Sequence, residues 1–367
     1  MDNYKEAFFA LLRAGLWEQK VRLSAFDSID FERVYKLAQE QTVVGLVAAG
    51  LEHVVDVKMP QKSLLAFAGY ALQIEQKNRL MNAFIAEMMT QLQDAGINDL
   101  LVKGQGVAQC YERPLWRMCG DIDLLLDEDN YEKAKQLLLP LADKVETELE
   151  MRKHQGLVIK GWLVELHGSL RGGVLRRIDR GIDAIQSDVF LNKRFRVWHN
   201  GTTDVLLPAP TEDVLFVFAH LIQHFYGLGI GIRQICDWCR LIWVYREEIN
   251  VNILDSYLRR MHLVTEWKVF AAFVVEFLGI PDESMPLYSA DRRWCRKAER
   301  LLVCIMKTGN MGRDRDLDYY NRHSYVVSKL ISLWRHTTDC AQHFFIFPLD
   351  SIIVWWRQLT DGIKNVV

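Results

Sequence analysis

The 367-residue sequence lacks long apolar runs and any strong excess of charge of one sign. Its longest apolar run, Val269 to Val275, ends at Glu276, whereas a helix that spans a bilayer needs roughly 20 mostly apolar residues. The formal net charge of −2 provides no general attraction to nucleic acid or to an anionic membrane. We therefore expect a protein without a transmembrane segment, whose partners are selected by a local site.

Cysteine is scarce and odd in number, with seven residues at Cys110, Cys119, Cys236, Cys239, Cys295, Cys304 and Cys340. The amphipathic N-terminus contains no secretory apolar segment, and an odd set of thiols is typical of a reducing compartment. We therefore expect a cytoplasmic protein. The chain also lacks low-complexity linkers and internal repeats, and nothing in its composition indicates an oligomeric state.

The spacing of apolar residues divides the chain into three segments. Residues 1–95 have apolar positions at helical intervals, beginning with Phe8 and Leu11, and are predicted to be helical. Residues 96–207 alternate short apolar strands with helices, while residues 208–367 return to helical spacing. The sequence therefore predicts an α+β fold, in which a small mixed sheet with helices on one side lies between N- and C-terminal helical regions.

Within the core segment, four strands are expected at residues 99–102, 121–126, 157–159 and 162–167. The dipeptide Lys160-Gly161 is a turn signal that joins the last two strands as a hairpin. A helix is expected to begin at Gly104, directly after the first strand.

Two acidic residues separated by one position begin the second predicted strand. Because side chains alternate between the faces of a strand, Asp121 and Asp123 point to the same side. The leucines at 124–126 are expected to be buried, which holds the two carboxylates close together. Like charges this close repel unless a cation lies between them, and oxygen ligands suit Mg²⁺. The pair therefore predicts a divalent metal site, which most often serves phosphate chemistry.

A third acid, Glu165, lies on the last predicted strand with apolar residues on both sides. A buried glutamate needs a charge partner, because burying it alone costs several kcal/mol. The hairpin can place Glu165 beside Asp121, where three acids could bind one or two Mg²⁺ ions. The alternative is a structural ion pair with Lys160 or Lys153. His167 is expected to lie off the face that carries Glu165, and either to pack or to contribute to the site.

Four short motifs of the core occur together with a later polar helix. The motifs are Lys103-Gly104, Arg117, Asp121-Ile122-Asp123 and Val164-Glu165-Leu166-His167, and the later residues are His220, His224, Arg233 and Asp237. This combination resembles the nucleotidyltransferase superfamily of the DNA polymerase β fold, and within it the group of uncharacterised bacterial nucleotidyltransferase-like proteins. The resemblance covers about residues 95–245, and it implies a polymerase β-like core.

The resemblance also implies an activity, the transfer of a nucleotidyl group from an NTP, with ATP expected, to a hydroxyl of an unidentified small-molecule or macromolecular acceptor. Asp121 and Asp123 would hold Mg²⁺ or Mn²⁺, and Glu165 would be the third ligand or the base. The nucleotide would be contacted by Lys103, Gly104, Gln105, Gly106 and Arg117. The two glycines would act through their backbone at a helix start, where N–H groups attract anions. The cleft would be completed by His167, His220, His224, Arg233 and Asp237.

Other interpretations of the same residues remain open. Gly104-Gln105-Gly106 departs from the usual Gly-Ser or Gly-Gly turn of the superfamily, which favours a catalytically degenerate nucleotide-binding regulator or adaptor; retention of all three acids favours an enzyme. An RNA partner would use the basic stretch, which comprises Arg171, Arg176, Arg177, Arg180, Lys193, Arg194 and Arg196. His220 and His224 lie on one helix face at a spacing compatible with zinc, with Asp237 or the pair Cys236 and Cys239 as further ligands.

The last interpretation concerns residues 344–356, which are rich in aromatic side chains. Pro348 and Asp350 interrupt this stretch. We expect a terminal helix that packs on the rest of the protein; the alternatives are docking on another chain or on a membrane surface.

Overall fold

The computed structural model describes residues 2–149, 153–309 and 322–364. The N-terminal region is helical, as predicted, with α1 (Asn3–Trp17), α2 (Phe31–Glu40), α3 (Val44–Glu52) and α4 (Gln61–Asp94). The side chain of Asp30 accepts hydrogen bonds from the backbone N–H groups of Glu32 and Arg33 and so caps the start of α2. Helices α1 and α3 cross in close contact, with Gly15 and Gly50 at the crossing.

The core is a five-stranded mixed sheet, which confirms the predicted α+β class. Its strands are β1 (Asp99–Val102), β2 (Asp121–Leu126), β3 (Lys144–Val145), β4 (His154–Ile159) and β5 (Trp162–His167), in the order β1-β2-β5-β4-β3. Strands β2 and β5 are parallel, whereas the other neighbours are antiparallel. The hairpin predicted around Lys160-Gly161 is therefore present as β4 and β5, and β4 begins three residues earlier than expected.

Helices and a second small sheet surround these strands. The short α5 (Gly104–Ala108), α6 (Glu128–Leu138) and α7 (Arg176–Leu191) belong to this segment, as does the two-stranded sheet of β6 (Phe195–Asn200) and β7 (Thr203–Pro208). The pair β6 and β7 was not expected from the sequence. One hydrophobic cluster joins Ile85 of α4, Leu124 of β2, Tyr131 of α6 and Leu207 of β7, which covers the sheet with helices.

The C-terminal region is again helical, with α8 (Pro210–Gly227), α9 (Ile232–Val244), α10 (Val251–Arg260), α11 (Val264–Phe273), α12 (Arg292–Thr308), α13 (Tyr325–Phe344) and α14 (Pro348–Lys364). It shares a hydrophobic core with the N-terminal helices. The indole N–H of Trp17 donates a hydrogen bond to the carbonyl of Leu278 at 2.6 Å. The first and third predicted segments thus pack on each other, and the boundaries near residues 95 and 207 remain a prediction from the sequence.

The aromatic stretch 344–356 forms the end of α13 and the beginning of α14. Phe347 and Val354 are buried, and Asp350 forms an ion pair with Arg177 of α7. These contacts agree with the expected packed terminal helix. On its other face Leu349 is exposed to 78 % and Trp356 to 61 %. Across the described residues, no helix combines the length and the hydropathy that crossing a membrane requires.

Candidate active site

The two aspartates of β2 open onto a cleft of about 190 Å³. Lys103 and Gly104 form the edge beside them, and Glu165 of β5 lies on the same side. The opposite wall comes from α8 and α9, with His220, His224, Arg233, Gln234 and Asp237. The structure therefore brings together residues that are up to 134 positions apart (237 − 103), and most of the side chains predicted from the sequence line this single cleft.

Asp121 is the carboxylate without a hydrogen-bond donor in this cleft. Its side-chain oxygens accept no hydrogen bond from the residues that the structure describes, although the residue is only partly exposed. The negative charge of Asp123, and then burial, raise the pKa of Asp121 above its ordinary value. A partly buried carboxylate that is destabilised by a neighbouring carboxylate is suited to bind a cation.

Asp123 is instead neutralised by two neighbours. Its Oδ1 accepts a hydrogen bond from Lys103 Nζ at 2.8 Å and lies 2.8 Å from His167 Nε2. Although burial acts in the opposite direction, the charge of Lys103 and the hydrogen bond of His167 hold the pKa of Asp123 below its ordinary value. Lys103 was expected to contact the nucleotide, and here its ammonium group neutralises the more deeply buried aspartate.

The expectation that His167 lies off the face that carries Glu165 was wrong. Residues two apart on a strand share a face, so His167 and Glu165 of β5 point to the same side. His167 Nε2 lies 3.5 Å from Glu165 Oε2. The pKa of His167 is raised, because its hydrogen bonds to Asp123 and Glu165 outweigh burial, which acts in the opposite direction.

Glu165 lies next to the aspartate pair, but opposite Asp123 and not beside Asp121 as predicted. Strands β2 and β5 are paired with Asp123 opposite Glu165. Its ion-pair partners are histidines: Nε2 of His154 is 3.3 Å from Glu165 Oε2. The alternative partners were wrong, because Lys160 pairs with Glu87 and Lys153 pairs with Glu128.

The three acids do not form one closed set of ligands. Among the described residues, the group whose possible ligand atoms all lie within 4.8 Å of one another is His154, Glu165 and His167. Asp121 and Asp123 nevertheless fit Mg²⁺, since they supply carboxylate oxygens side by side in a cleft and Asp121 accepts no hydrogen bond from the described residues. The role of Glu165 as a third magnesium ligand stays a prediction.

An arginine pair held by one buried aspartate forms the opposite wall. Asp237 of α9 accepts hydrogen bonds from Arg117 Nε at 3.0 Å and Nη2 at 2.7 Å, and from the hydroxyl of Tyr111 at 2.7 Å. Arg233 Nη1 lies 3.4 Å from the same carboxylate, as its spacing on the helix predicted. Arg117 Nη1 is buried and has no hydrogen-bond partner in the described ranges. One carboxylate thus orients two guanidinium groups, which leaves this wall positively charged.

The turn after β1 only partly matches its predicted role. Lys103 and Gly104 both have positive φ, at 57° and 42°, and both line the cleft. The side chain of Gln105 instead donates a hydrogen bond to Asn78 of α4 at 2.8 Å. A Cβ on Gly106 would lie 2.9 Å from a methyl group of Leu207, so this glycine makes room for β7. Gln105 and Gly106 thus also serve packing against α4 and β7, and their contact with the nucleotide stays a prediction.

Two neutral histidines of α8 face the acids. The rings of His220 and His224 are 4.2 Å apart between centroids. Burial lowers the pKa of His220 well below its ordinary value and that of His224 to about 4, so both are uncharged at neutral pH. A zinc site with Cys236 and Cys239 is not formed in the part of the chain described; burial raises the pKa of both thiols.

The basic stretch is largely neutralised within the fold. Arg171 pairs with Asp183, Arg177 with Asp350, Arg194 with Asp188 and Arg196 with Asp213. Side chains that are engaged in this way are poorly placed to bind RNA phosphates, so the structure gives the RNA interpretation no support.

Three residues around a second cavity were not predicted to line the site, although Arg171 was named in the basic stretch. His154, Arg171 and Gln223 line a space of about 350 Å³ that adjoins the cleft and shares Glu165 and His224 with it. His154 could have been found from the hairpin alone. Counting back from the turn at Lys160-Gly161 pairs residue 154 with His167, which is the observed register.

Comparison with known proteins adds one match. A sequence model that represents the family described as "Uncharacterised nucleotidyltransferase" matches residues 27–279. This range includes all the cleft residues named above. No curated protein and no solved structure matches the chain.

Proposed function

The chain belongs to a family of uncharacterised nucleotidyltransferases. From that premise we propose that it transfers the nucleotidyl group of an NTP to an acceptor hydroxyl, with ATP as the first candidate. The reaction would depend on Mg²⁺ or Mn²⁺. One observation carries the proposal. The carboxylate of Asp121 accepts no hydrogen bond from the described residues and lies beside Asp123, in a cleft whose opposite wall carries Arg117 and Arg233.

The arginine wall provides the contacts for the triphosphate. Arg117 is fixed by its two hydrogen bonds to Asp237, so little side-chain entropy is lost when a phosphate binds. Its Nη1 is buried without a partner among the described residues, so a phosphate oxygen that enters the base of the cleft would satisfy this donor. Arginine suits this role, because its planar group donates several hydrogen bonds to phosphate oxygens.

The carboxylate wall provides the metal ligands. Asp121 and Asp123 would hold the divalent ion, which when bound neutralises developing charge on the phosphate oxygens. Lys103 now neutralises Asp123, so a cation at the two aspartates would free its ammonium group for the nucleotide. The contact between Lys103 and Asp123 thus supports both the metal and the lysine assignments made from the sequence.

The acceptor would approach from the side of the second cavity. Its hydroxyl oxygen attacks the α-phosphorus, the bond from that phosphorus to the bridging oxygen breaks, and pyrophosphate leaves. The hydroxyl proton passes to Glu165, which lines both spaces. Hydrogen bonds from His154 and His167 outweigh burial and keep Glu165 ionised, with a pKa below its ordinary value. None of the seven cysteines, all of which lie in the described part of the chain, forms a disulfide bond, which supports the proposed cytoplasmic location.

A direct test uses α-labelled NTP, Mg²⁺ and a cell extract as the source of acceptor. We expect label transfer with the unaltered chain, and at least about a 100-fold loss with Asp121→Asn or Asp123→Asn while both variants remain folded. Asp94→Asn is the matched control, because Asp94 is an exposed acid at the end of α4. Full activity in both cleft variants would refute the metal assignment.

One observation favours the second candidate, a nucleotide-binding regulator without turnover. Asp123 is already neutralised by Lys103 and His167, and Glu165 contacts histidines, so the three acids do not form a single ligand set. This candidate predicts Mg²⁺-dependent NTP binding in a calorimetric titration and no label transfer to any component of the extract.

A further inference from the structure

We propose that His154, Glu165 and His167 form a second cation site, which selects a first-row transition metal ion, with Zn²⁺ as its best probe, over Mg²⁺. The proposal goes beyond the nucleotidyl transfer proposed above, because it assigns a different ion to a ligand set that shares only Glu165 with the transfer site. Glu165 would bind this ion through Oε2, the atom that faces both histidines, which leaves Oε1 as the proton acceptor in the transfer. The ligand set also includes His154, a residue that the transfer chemistry does not require as a metal ligand.

The two distances from Glu165 to the histidine nitrogens match tetrahedral coordination. Glu165 Oε2 lies 3.3 Å from His154 Nε2 and 3.5 Å from His167 Nε2. Zinc bonds of roughly 2.0–2.1 Å to nitrogen and oxygen place two tetrahedral ligands roughly 3.3–3.4 Å apart. The three ligand atoms lie within 4.8 Å of one another, so small side-chain movements suffice to close the site.

The sheet holds these ligands in place. His154 of β4 and His167 of β5 are directly opposite each other in the antiparallel register, and their ring centroids are 4.8 Å apart. Glu165 precedes His167 by two positions and therefore shares its face. All three side chains thus come from two adjacent strands of the central sheet, which are more rigid than loops as a support for metal ligands.

The chemistry of the donors decides between the two kinds of ion. Two imidazole nitrogens and one carboxylate form a typical ligand set for zinc with an open fourth position. Mg²⁺ prefers oxygen ligands in an octahedral arrangement, which this trio does not supply. His167 Nε2 also lies 2.8 Å from Asp123 Oδ1. A cation bound to Nε2 would replace the proton between these two atoms, and the carboxylate of Asp123 would remain as a neighbouring negative charge.

The open position would face the larger cavity. The site borders the space of about 350 Å³ that Ser169, Arg171 and Gln223 also line. An ion held there offers a coordination position to an oxygen of a molecule in that cavity. We therefore assign to this ion the binding of the acceptor, whereas the nucleotide phosphates would bind at the arginine wall that Asp237 orients.

Calorimetric titration with Zn²⁺, after removal of bound metal with a chelator, tests the site. We expect one tight equivalent per chain, which persists in millimolar Mg²⁺, and about a 100-fold weaker affinity in His154→Gln. His199→Gln is the matched control, because His199 is exposed on β6 and pairs with Asp204. Thermal unfolding of each variant without metal verifies that it is folded, and visible absorption with Co²⁺ reports tetrahedral coordination independently.

The outcomes separate this site from the proposed transfer reaction. Asp121→Asn is expected to keep its Zn²⁺ affinity within about threefold while it loses label transfer. Absence of a stoichiometric zinc equivalent, equal affinity in His154→Gln, or displacement by Mg²⁺ at comparable concentration would each overturn the proposal, whether or not label transfer is observed.

Discussion

Buried acids in this protein differ in what neutralises them, and the difference decides how each responds to pH. Asp237 is surrounded by Arg117, Arg233 and the hydroxyl of Tyr111. Although burial opposes them, the charge and hydrogen bonds of Arg117 keep the pKa of Asp237 below its ordinary value. Asp99 of β1 is equally buried, but its Oδ2 has no partner in the part of the chain that is described, and burial raises its pKa to about 7.

Asp99 is therefore expected to make the protein less stable as the pH rises. An aspartate in the unfolded chain has a pKa of about 3.9, so between about pH 4 and pH 7 the folded state binds more protons than the unfolded state. Stability contributed at low pH is then lost as the pH rises through the folded pKa. Asp99→Asn removes this dependence. We expect the difference in free energy of unfolding between Asp99→Asn and the unaltered chain to shift in favour of the variant by roughly 2–3 kcal/mol from pH 5 to pH 8.

Urea unfolding of both proteins at the two pH values measures this difference. The comparison is made between proteins at each pH, because other titrating groups contribute equally to both. An advantage of Asp99→Asn that is the same at pH 5 and pH 8 would contradict the raised pKa.

At the scale of elements, the crossing of α1 and α3 depends on glycine. A Cβ built on Gly50 would lie 1.9 Å from the carbonyl oxygen of Leu11, and one built on Gly15 would lie 1.8 Å from that of Leu46. The two backbones are thus in direct contact, and α1 in turn supports the C-terminal region through the hydrogen bond from Trp17 to Leu278.

Gly50→Ala is expected to separate these helices and to lower the free energy of unfolding by about 3 kcal/mol, the upper end of the usual cost of overpacking. Gly69→Ala is the matched control, since Gly69 is exposed within α4 and a Cβ there meets no atom within 4 Å. The control should be neutral or more stable by up to about 1 kcal/mol, because alanine favours the helix. Denaturant titration distinguishes the two variants, and equal effects would show that the crossing tolerates a methyl group.

Local patterns predicted the elements better than the contacts between them. The turn at Lys160-Gly161 and the alternation around Asp121 are local signals, and the hairpin and strand they predict are present. Gln105 and Gly106 also have a local signal, yet their surroundings are set by Asn78 and Leu207, which are distant in sequence.

The arginine wall illustrates the same limit. Arg117 and Asp237 are 120 positions apart, and no periodicity in either segment predicts that they pair. His154 is an intermediate case, because its position follows from the hairpin register once β4 is extended towards its N-terminus.

At the scale of the whole molecule, the cleft lies between two parts of the fold. One wall is the central sheet with Asp121 and Asp123, and the other consists of α8 and α9 of the C-terminal region together with Arg117, which is bound to Asp237 of α9. The N-terminal region supports this second wall, since Arg233 donates a hydrogen bond to the Thr42 side chain at 3.1 Å. A nucleotide in the cleft would therefore contact both parts at once.

Such a ligand is expected to stabilise the entire protein, and Mg²⁺ is expected to increase the effect through Asp121. Ligand binding to the folded state adds about 2.7 kcal/mol when its concentration is 100 times the dissociation constant. ATP with Mg²⁺ should raise the melting temperature more than ATP alone. Asp121→Asn should lose only this Mg²⁺-dependent increase, because Arg117 and Arg233 on the opposite wall remain intact. Thermal shift measurements with and without Mg²⁺ separate the two contributions, and Asp94→Asn should behave like the unaltered chain. If Asp121→Asn kept the full increment, the cation would have to bind elsewhere, and the two walls would not act through one shared ligand.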